Sequence, residues 1–119
     1  MSFLKKMLGY PEEEKKTTEM YEKNADETAR DSMEFIKMTP EIQAQELADK
    51  IVKGIPMVIN FEDVDVSLAN QIIAFLSGIT YIIEGVNLQM QKKVFLFSRS
   101  ENLEDGSIMD FYNQYKEVE

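Results

Sequence analysis

Histidine, cysteine and tryptophan are all absent from this chain of 119 residues. Without cysteine, the chain has no thiolate nucleophile and no disulfide framework. Without histidine, it lacks the commonest general base at neutral pH and the commonest metal ligand in proteins. A Ser-His-Asp relay, a Cys-His pair and a zinc site built on His or Cys are therefore excluded. We expect no catalytic activity, no metal site and no cofactor.

Positive charge is also scarce, since 13 Lys and Arg stand against 22 Asp and Glu and leave a formal net charge of −9. A general nucleic-acid binder needs a basic face to neutralise phosphates, so this class is disfavoured. No stretch approaches the ~20 apolar residues of a membrane-spanning helix. The apolar run at the N-terminus is too short for a secretory signal, and no small-residue cleavage site follows it. We expect a cytoplasmic protein.

The chain does have an amphipathic start, MSFLKKML. On a helical wheel the large apolar residues fall in one half of the circle, and Ser2, Lys5 and Lys6 share the other. This pattern is typical of a helix that lies in the membrane interface, with its lysines at anionic head groups. We predict membrane contact by Met1, Phe3, Leu4, Lys5, Lys6, Met7 and Leu8. The alternatives are a frayed terminus and a first core helix, the latter disfavoured because Gly9 and Pro11 interrupt the pattern.

Residues 10–32 are rich in charge, contain few large apolar side chains and show no sustained hydrophobic period. Such a composition predicts a flexible acidic linker between an amphipathic helix at residues 1–9 and a folded domain at residues 33–119. A linker of this length typically spans about 25 Å, because its mean reach grows as ~5–6 Å × √n. The alternative is a solvated helix held by Glu-Lys pairs.

The folded domain begins with a predicted strand, MEFIKM, at residues 33–38. Thr39 and Pro40 then suit the N-cap and first turn of a helix that ends at Gly54. IPMVINF (55–61) is almost continuously apolar, as expected of a central strand covered on both faces. VNLQM (86–90) and KVFLF (93–97) predict a hairpin around a QKK turn. Residues 107–118 carry apolar side chains at helical spacing, with a terminal strand as the alternative.

The longest predicted helix covers residues 66–84, with Asp65 or Ser67 as its N-cap. Its apolar stripe approaches half the circumference, which is wider than packing on one sheet requires. The surplus predicts contact with a second subunit. The stripe consists of Leu68, Ala69, Ile72, Ile73, Phe75, Leu76, Ile79, Ile82 and Ile83.

The densest acidic cluster, Glu62, Asp63 and Asp65, stands just before this helix. Carboxylates are favourable at a helix N-terminus, and the cluster lacks the ligand number and glycine placement of a calcium loop. We therefore interpret it as a helix cap. The predicted element order is β-α-β-α-β-β, which corresponds to a compact α+β sandwich with helices on one face of a sheet.

Residues 64–98, VDVSLANQIIAFLSGITYIIEGVNLQMQKKVFLFS, resemble the core of SepF, the FtsZ-associated cell-division protein family. The upstream segment IPMVINFEDVD is similar to the family's P.VVNL..LD segment. The amphipathic start, the acidic linker and the element order also match, so the resemblance covers nearly the whole chain. The residues in register with the family pattern are Ala69, Ile72, Phe75-Leu76-Ser77-Gly78, Tyr81, Gly85 and Val94-Phe95-Leu96.

The resemblance implies an adaptor that anchors FtsZ filaments to the inner face of the cell membrane at mid-cell. The implied partners are the FtsZ C-terminal tail, anionic lipids and a second copy of the chain. By match to the family's VFL strand, Phe95 is expected to be an apolar anchor and Lys93 an electrostatic partner for acids of the tail. The alternatives are a core residue for Phe95 and an ordinary turn lysine for Lys93. The expected dimer interface consists of Ile73, Leu76, Ile79 and Ile83.

The chain also departs from the family pattern. Bacterial members usually have a glycine in the hairpin turn and Thr-Pro after VFL, where this chain has QKK and FSRS. These differences suggest the archaeal branch, and they leave open whether dimers stack further into polymers. A competing function is a dimeric small-molecule sensor, since β-α-β-β units often pair into ligand-binding regulatory domains. A sensor has no need of an amphipathic N-terminus, so the adaptor is favoured.

Overall fold

The strand β2 (Met57–Asn60) occupies an interior position in a four-stranded sheet, and its apolar side chains are covered on both faces. The computed structural model describes residues 27–117. The other strands are β1 (Glu34–Lys37), β3 (Val86–Gln91) and β4 (Val94–Ser98), in the spatial order β1-β2-β4-β3. The β1–β2 pair is parallel, and the other two pairs are antiparallel. The predicted central strand and hairpin are confirmed.

Two helices, α1 (Ala44–Lys53) and α2 (Val66–Ile82), cover one face of the sheet. Their apolar sides meet Met57 and Ile59 of β2 and Phe97 of β4 in the larger hydrophobic core. The side chains of α1 and α2 that are buried in this core are Leu47, Ala48, Ile51, Ala69, Ile72 and Leu76. This arrangement confirms the predicted α+β sandwich with helices packed on a sheet.

The predicted start of α1 is wrong. Residues 40–42 form a turn in which the amide of Ile42 donates to the carbonyl of Thr39 at 3.2 Å, and the helix begins only after Gln43. The side chain of Ile42 packs against the larger core, so tertiary contact overrides the local helix-start signal of Thr39 and Pro40. The predicted end of the helix is confirmed, because Gly54 adopts φ 106°, a left-handed conformation that favours glycine.

A third helix, α3 (Ser107–Tyr115), lies on the opposite face of the sheet. The C-terminal segment is therefore a helix, and the alternative of a terminal strand is wrong. Ile108 and Phe111 of α3 form a second, smaller core with Val58 of β2 and Leu96 of β4. The prediction of helices on one face holds for α1 and α2, whereas α3 adds a layer on the other side.

A short 3₁₀ turn, Ala29–Ser32, packs against the start of α3. The amide of Ala29 donates to Oδ2 of Asp105 at 2.8 Å, and the amide of Arg30 donates to Oγ of Ser107 at 3.0 Å. Ala29 is buried in the smaller core. These residues lie within the range predicted to be a flexible linker, so this part of it belongs to the folded body.

The connection between β4 and α3 is tied to the end of α1. Nη1 of Arg99 donates to the carbonyl of Val52 at 2.9 Å, and Nδ2 of Asn102 donates to the carbonyl of Gly54 at 2.7 Å. The carbonyls at a helix end have no partners within the helix, so these donors satisfy them. A hydrogen bond from Arg99 lowers the pKa of Glu101 from its usual value.

Candidate functional site

The helix α2 starts at a side-chain cap and carries no charged residue along its length. Oδ1 of Asp65 accepts a hydrogen bond from the amide of Leu68 at 2.8 Å, which confirms one of the two predicted N-caps. Glu62 and Asp63 do not cap the helix; they lie 3.9 and 3.5 Å from Nζ of Lys37. Within residues 27–117, no group of acidic side chains is arranged to hold a metal ion.

The outward face of α2 is apolar at its C-terminal half. Tyr81 is 82% exposed, Ile82 70% and Phe75 38%. Between these large side chains lie two small exposed residues, Ala74 and Gly78. A surface with small residues at its centre and large apolar ones around it allows another helix to approach closely. This outward face of α2 (Ala74, Phe75, Gly78, Tyr81 and Ile82) is the strongest candidate interface in the described part of the chain.

The residues predicted for the dimer interface lie on the other side of α2. Leu76 is 0% exposed within a single chain, so its side chain belongs to the core of that chain. Ile73, Ile79 and Ile83 are partly buried against the same core. The apolar stripe was wide because it covers both faces of the helix, and periodicity alone does not separate the two. The interface role of Ile73, Leu76, Ile79 and Ile83 stays a prediction.

The β3–β4 hairpin places Lys93 at its exposed turn and Phe95 on the sheet face beneath α2. The carbonyl of Lys93 accepts a hydrogen bond from the amide of Phe61 at 2.8 Å, which fixes the turn against the end of β2. The ammonium group of Lys93 forms no ion pair with any carboxylate of residues 27–117. Its charge is therefore available to an acidic ligand.

Phe95 is half-buried, which is compatible with both roles considered for it. Its ring lies 5.9 Å from that of Phe61 and 6.4 Å from that of Phe97, measured between ring centres. It also packs against the larger hydrophobic core. Phe95 is thus part of the core and still has surface that a ligand can contact beside Lys93.

One surface escaped the sequence predictions. Three aromatic rings form a row that we call the aromatic step: Phe35 of β1, and Phe111 and Tyr115 of α3. The ring centres of Phe35 and Phe111 lie 5.7 Å apart, and those of Phe111 and Tyr115 lie 4.9 Å apart. Phe35 is 63% exposed and Tyr115 47%. The signal was present, because strand alternation places Phe35 on the face opposite Ile36. Finding the surface also required the position of α3, which the sequence does not supply.

The predicted membrane-binding residues, Met1, Phe3, Leu4, Lys5, Lys6, Met7 and Leu8, lie outside the described residues. From residue 27 to residue 117, the structure contains no helix that is long and apolar enough to cross a membrane.

Comparison with known proteins identifies the family of the folded domain. Residues 33–101 match the family model described as "Cell division protein SepF". The protein of that name from Carboxydothermus hydrogenoformans is 33% identical over 69 residues, which are 58% of this chain and 50% of that protein. The one from Natranaerobius thermophilus is 32% identical over 83 residues, 65% of this chain and 50% of that protein. The one from Oceanobacillus iheyensis is 31% identical over 77 residues, 65% of this chain and 54% of that protein.

The chain spans about half the length of the curated relatives it matches. These relatives are bacterial, so assignment to the archaeal branch stays a prediction. The matched region runs from the start of β1 past the end of β4, and it includes α2 and the hairpin that carries Lys93 and Phe95. The chain therefore belongs to the SepF family of cell division proteins.

Proposed function

We propose that this protein is a non-catalytic adaptor that anchors FtsZ filaments to the cytoplasmic face of the cell membrane at the division site. The observation that carries the proposal is the match of residues 33–101 to the SepF cell-division family. The adaptor needs three contacts: with lipid, with a second copy of the chain and with FtsZ. The absence of histidine and cysteine supports a binding role over a chemical one.

The lipid contact is assigned to residues 1–8. Each lysine near an anionic membrane surface contributes roughly 1 kcal/mol, and each large apolar side chain contributes at most ~1.5–3 kcal/mol when it is fully buried. Ordering so short a helix offsets much of this gain, because isolated helices below ~12–15 residues are marginal in water. A single copy therefore binds weakly, and two linked copies bind much more tightly.

The second contact, dimerisation, is assigned to the outward face of α2. Phe75, Tyr81 and Ile82 are exposed on α2, and this helix carries no charged side chain that would favour its exposure to solvent. Burial of these side chains between two antiparallel copies of α2 removes this apolar surface from solvent. A dimer presents two N-terminal segments to one membrane. Because the two segments are linked, the dimer binds the membrane more tightly than one segment alone.

The third contact, with the FtsZ C-terminal tail, is assigned to Lys93 and Phe95. Lys93 offers an unpaired positive charge at the hairpin turn, and Phe95 offers the exposed part of an aromatic ring on the adjacent strand. An acidic, partly apolar peptide fits this combination, because the charge attracts it and the ring contributes apolar contact. A contact of this kind weakens as the salt concentration rises.

The tail contact is tested by titrating the protein into a fluorescent peptide of the FtsZ C-terminal tail and recording anisotropy. We expect Lys93→Glu to weaken binding about tenfold or more, and Phe95→Leu to weaken it while the larger core stays filled. The matched control is Lys116→Glu, which makes the same charge change on the opposite face of the sheet. Equal weakening by Lys93→Glu and Lys116→Glu would show that only net charge matters, and would remove Lys93 from the site.

The lipid contact is tested separately by flotation of the protein with anionic vesicles. The intact chain is expected to float with the vesicles, and a Phe3→Asp, Leu4→Asp variant is expected to stay in the dense fraction. Flotation of both proteins to the same extent would exclude residues 1–8 as the anchor.

A further inference from the structure

The sheet face that carries α3 is covered incompletely. Val58 of β2 is buried beneath this helix, but its register partner on β1, Phe35, is 63% exposed. Register partners on adjacent strands point to the same face of a sheet. The layer formed by α3 therefore reaches the edge strand through the ring of Phe111 but leaves most of Phe35 in solvent.

The aromatic step can accommodate one more helix. Phe35 forms its floor on the strand, and Phe111 and Tyr115 form its wall along α3. Among the described residues, two helices, α1 and α2, cover the opposite face of the same sheet, whereas α3 alone covers this one. A helix placed over β1 beside α3 would complete the second layer.

The two charged residues that flank Phe35 on β1 are already paired. Glu34 is paired with Lys50 at 2.9 Å, and Lys37 with Asp63 at 3.5 Å. The guanidinium group of Arg30 lies 5.1 Å from the ring centre of Phe111, in a cation–π contact. An apolar occupant can therefore cover Phe35 without burying an unpaired charge of β1, which would be costly. The exposed guanidinium group of Arg30 can stay in contact with water at the rim of the step.

The chain that precedes the described residues leaves the folded body at this same place. The 3₁₀ turn Ala29–Ser32 is held against the start of α3 by the hydrogen bonds of Ala29 to Asp105 and of Arg30 to Ser107. Arg30 itself contacts a ring of the step. Residues 1–26 are thus attached next to the aromatic step rather than at a distant point of the surface.

We propose that, away from the membrane, residues 1–8 dock as an amphipathic helix on the aromatic step of their own chain. Their apolar side, formed by Phe3, Leu4, Met7 and Leu8, covers Phe35 and Tyr115, and their lysines face water. This inference rests on the proposed function, since it gives the membrane-binding segment a second, competing contact. The chain then alternates between a closed form, with the segment on the step, and an open form, with the segment in lipid.

The residues between the segment and the folded body are numerous enough to let the segment reach the aromatic step and few enough to keep it nearby. Residues 9–26, some 18 residues, connect the segment to the body, and their typical span of about 23 Å follows from ~5–6 Å × √n. A tether of this length holds the segment at an effective concentration on the order of millimolar near the step. A weak contact, such as a two-turn helix can make, is then sufficient to populate the closed form.

The closed form makes membrane binding conditional. If it holds about two thirds of the molecules, the apparent affinity for vesicles falls about threefold, because only the open fraction is competent to bind. The exchange also shields the apolar side of residues 1–8 from other proteins while the chain is in solution.

The docked state is tested without any membrane, by paramagnetic broadening. The chain has no cysteine, so Ser2→Cys gives a single site for a nitroxide label. With the label attached, we expect the amide signals of Phe35, Phe111 and Tyr115 to broaden in full-length protein free of lipid. The same label on a Phe3→Asp, Leu4→Asp background is expected to leave them sharp. Equal broadening in the two proteins, or no broadening at these residues, would overturn the proposal.

A mixed sample separates docking within one chain from docking between chains. Labelled protein without nitrogen-15 is combined with unlabelled protein that carries nitrogen-15, so that only contacts between chains broaden the observed signals. We expect no broadening at Phe35 in this mixture. Broadening that appears there with the intensity seen in the single-chain sample would show that a second copy occupies the step, and would overturn docking in cis.

The consequence for membranes is tested by vesicle titration of Phe35→Thr, which removes the floor of the step and suits an edge strand. We expect this variant to bind anionic vesicles about threefold more tightly than the parent chain. The matched control is Val66→Thr, at a side chain of similar exposure, 67%, on α2. Equal affinity of Phe35→Thr and the parent would overturn the competition. Failure of every form to bind vesicles would instead contradict the proposed function, while the broadening experiment would still decide the docking.

Discussion

The Cα atom of Gly85 lies directly against the main-chain carbonyl of Ser98, where the chain leaves α2 and enters β3. A Cβ atom at residue 85 would overlap the carbonyl oxygen of Ser98 and would lie 3.2 Å from the Cα atom of Arg99. Val86 is the register partner of Ser98, so the sheet itself holds the two segments together. Only glycine allows this approach, and it sets the position of α2 relative to the hairpin.

Gly85→Ala is therefore expected to lower the free energy of unfolding by about 1–3 kcal/mol, since backbone must move to admit the methyl group. Chemical denaturation followed by circular dichroism measures the change. Ser100→Ala serves as the control, because its exposed side chain lies just past the same segment and no such approach is involved. An alanine variant at residue 85 as stable as the parent would show that the approach is not restrictive.

Glu84 is the one residue other than glycine, among those described, that has a positive φ, at 58°. This left-handed conformation is costly for a side chain with a Cβ atom, and glycine adopts it freely. We predict that Glu84→Gly raises the free energy of unfolding by about 0.5–1 kcal/mol. Glu84→Ala, which removes the carboxylate but keeps the Cβ atom, should give no such gain. If both variants change stability equally, the effect comes from charge and not from the backbone.

The outward face of α2 is predicted to carry the dimer. Tyr81→Glu combined with Ile82→Glu places two charges on this exposed face without touching the core, so the monomer should fold normally and the dimer should dissociate. Light scattering after size-exclusion chromatography measures the mass. The control is Phe35→Glu, which adds charge at an exposed aromatic on the opposite side of the sheet. If the dimer persists in the Tyr81→Glu, Ile82→Glu variant and dissociates in Phe35→Glu, the dimer interface lies at the aromatic step instead.

Much of the architecture could be predicted from local patterns. The N-cap at Asp65, the C-cap at Gly54 and the strict alternation of β3 are each specified by a few consecutive residues. What could not be predicted depends on contacts between distant segments. Ile42 packs into the core and delays the start of α1 beyond Thr39, and α3 comes to lie next to Phe35 on the far face of the sheet.

The predictions of site residues also depended on contacts between distant segments. The sequence indicated that α2 has more apolar surface than a sheet can cover, but it did not distinguish Leu76, which is completely buried, from Tyr81, which is 82% exposed. Both residues lie in an apolar run, and only the sheet determines which side faces inward. Phe95 was considered as either a core residue or a ligand anchor, and its half-buried ring is compatible with both roles.

Stability should depend on pH through Glu101. A hydrogen bond from the Arg99 side chain, then one from the backbone, holds the pKa of Glu101 below its usual value of 4.5. Because the folded-state pKa is the lower one, this contribution to stability is present above about pH 4.5 and is lost as the pH falls through the folded-state pKa.

Glu101→Gln is thus expected to lower the melting temperature slightly at pH 7, because the pair is exposed and its contribution is small. The deficit should be smaller at pH 3, where more of the carboxyl group is protonated. Thermal melting at the two pH values checks this. Glu104→Gln removes the same charge nearby without removing the hydrogen bond to Arg99, and it serves as the control. A Glu101→Gln deficit of equal size at pH 7 and pH 3 would contradict an origin in this ionisation.

Sedimentation with vesicles tests whether one chain joins FtsZ to a membrane. FtsZ is mixed with anionic vesicles and either the intact protein, the Phe3→Asp, Leu4→Asp variant or the Lys93→Glu variant. We expect FtsZ to sediment with vesicles only when the intact protein is present. We also expect the Lys93→Glu variant to reach the vesicles without FtsZ. If vesicles carry the intact protein but FtsZ stays in solution, this protein is not an FtsZ anchor.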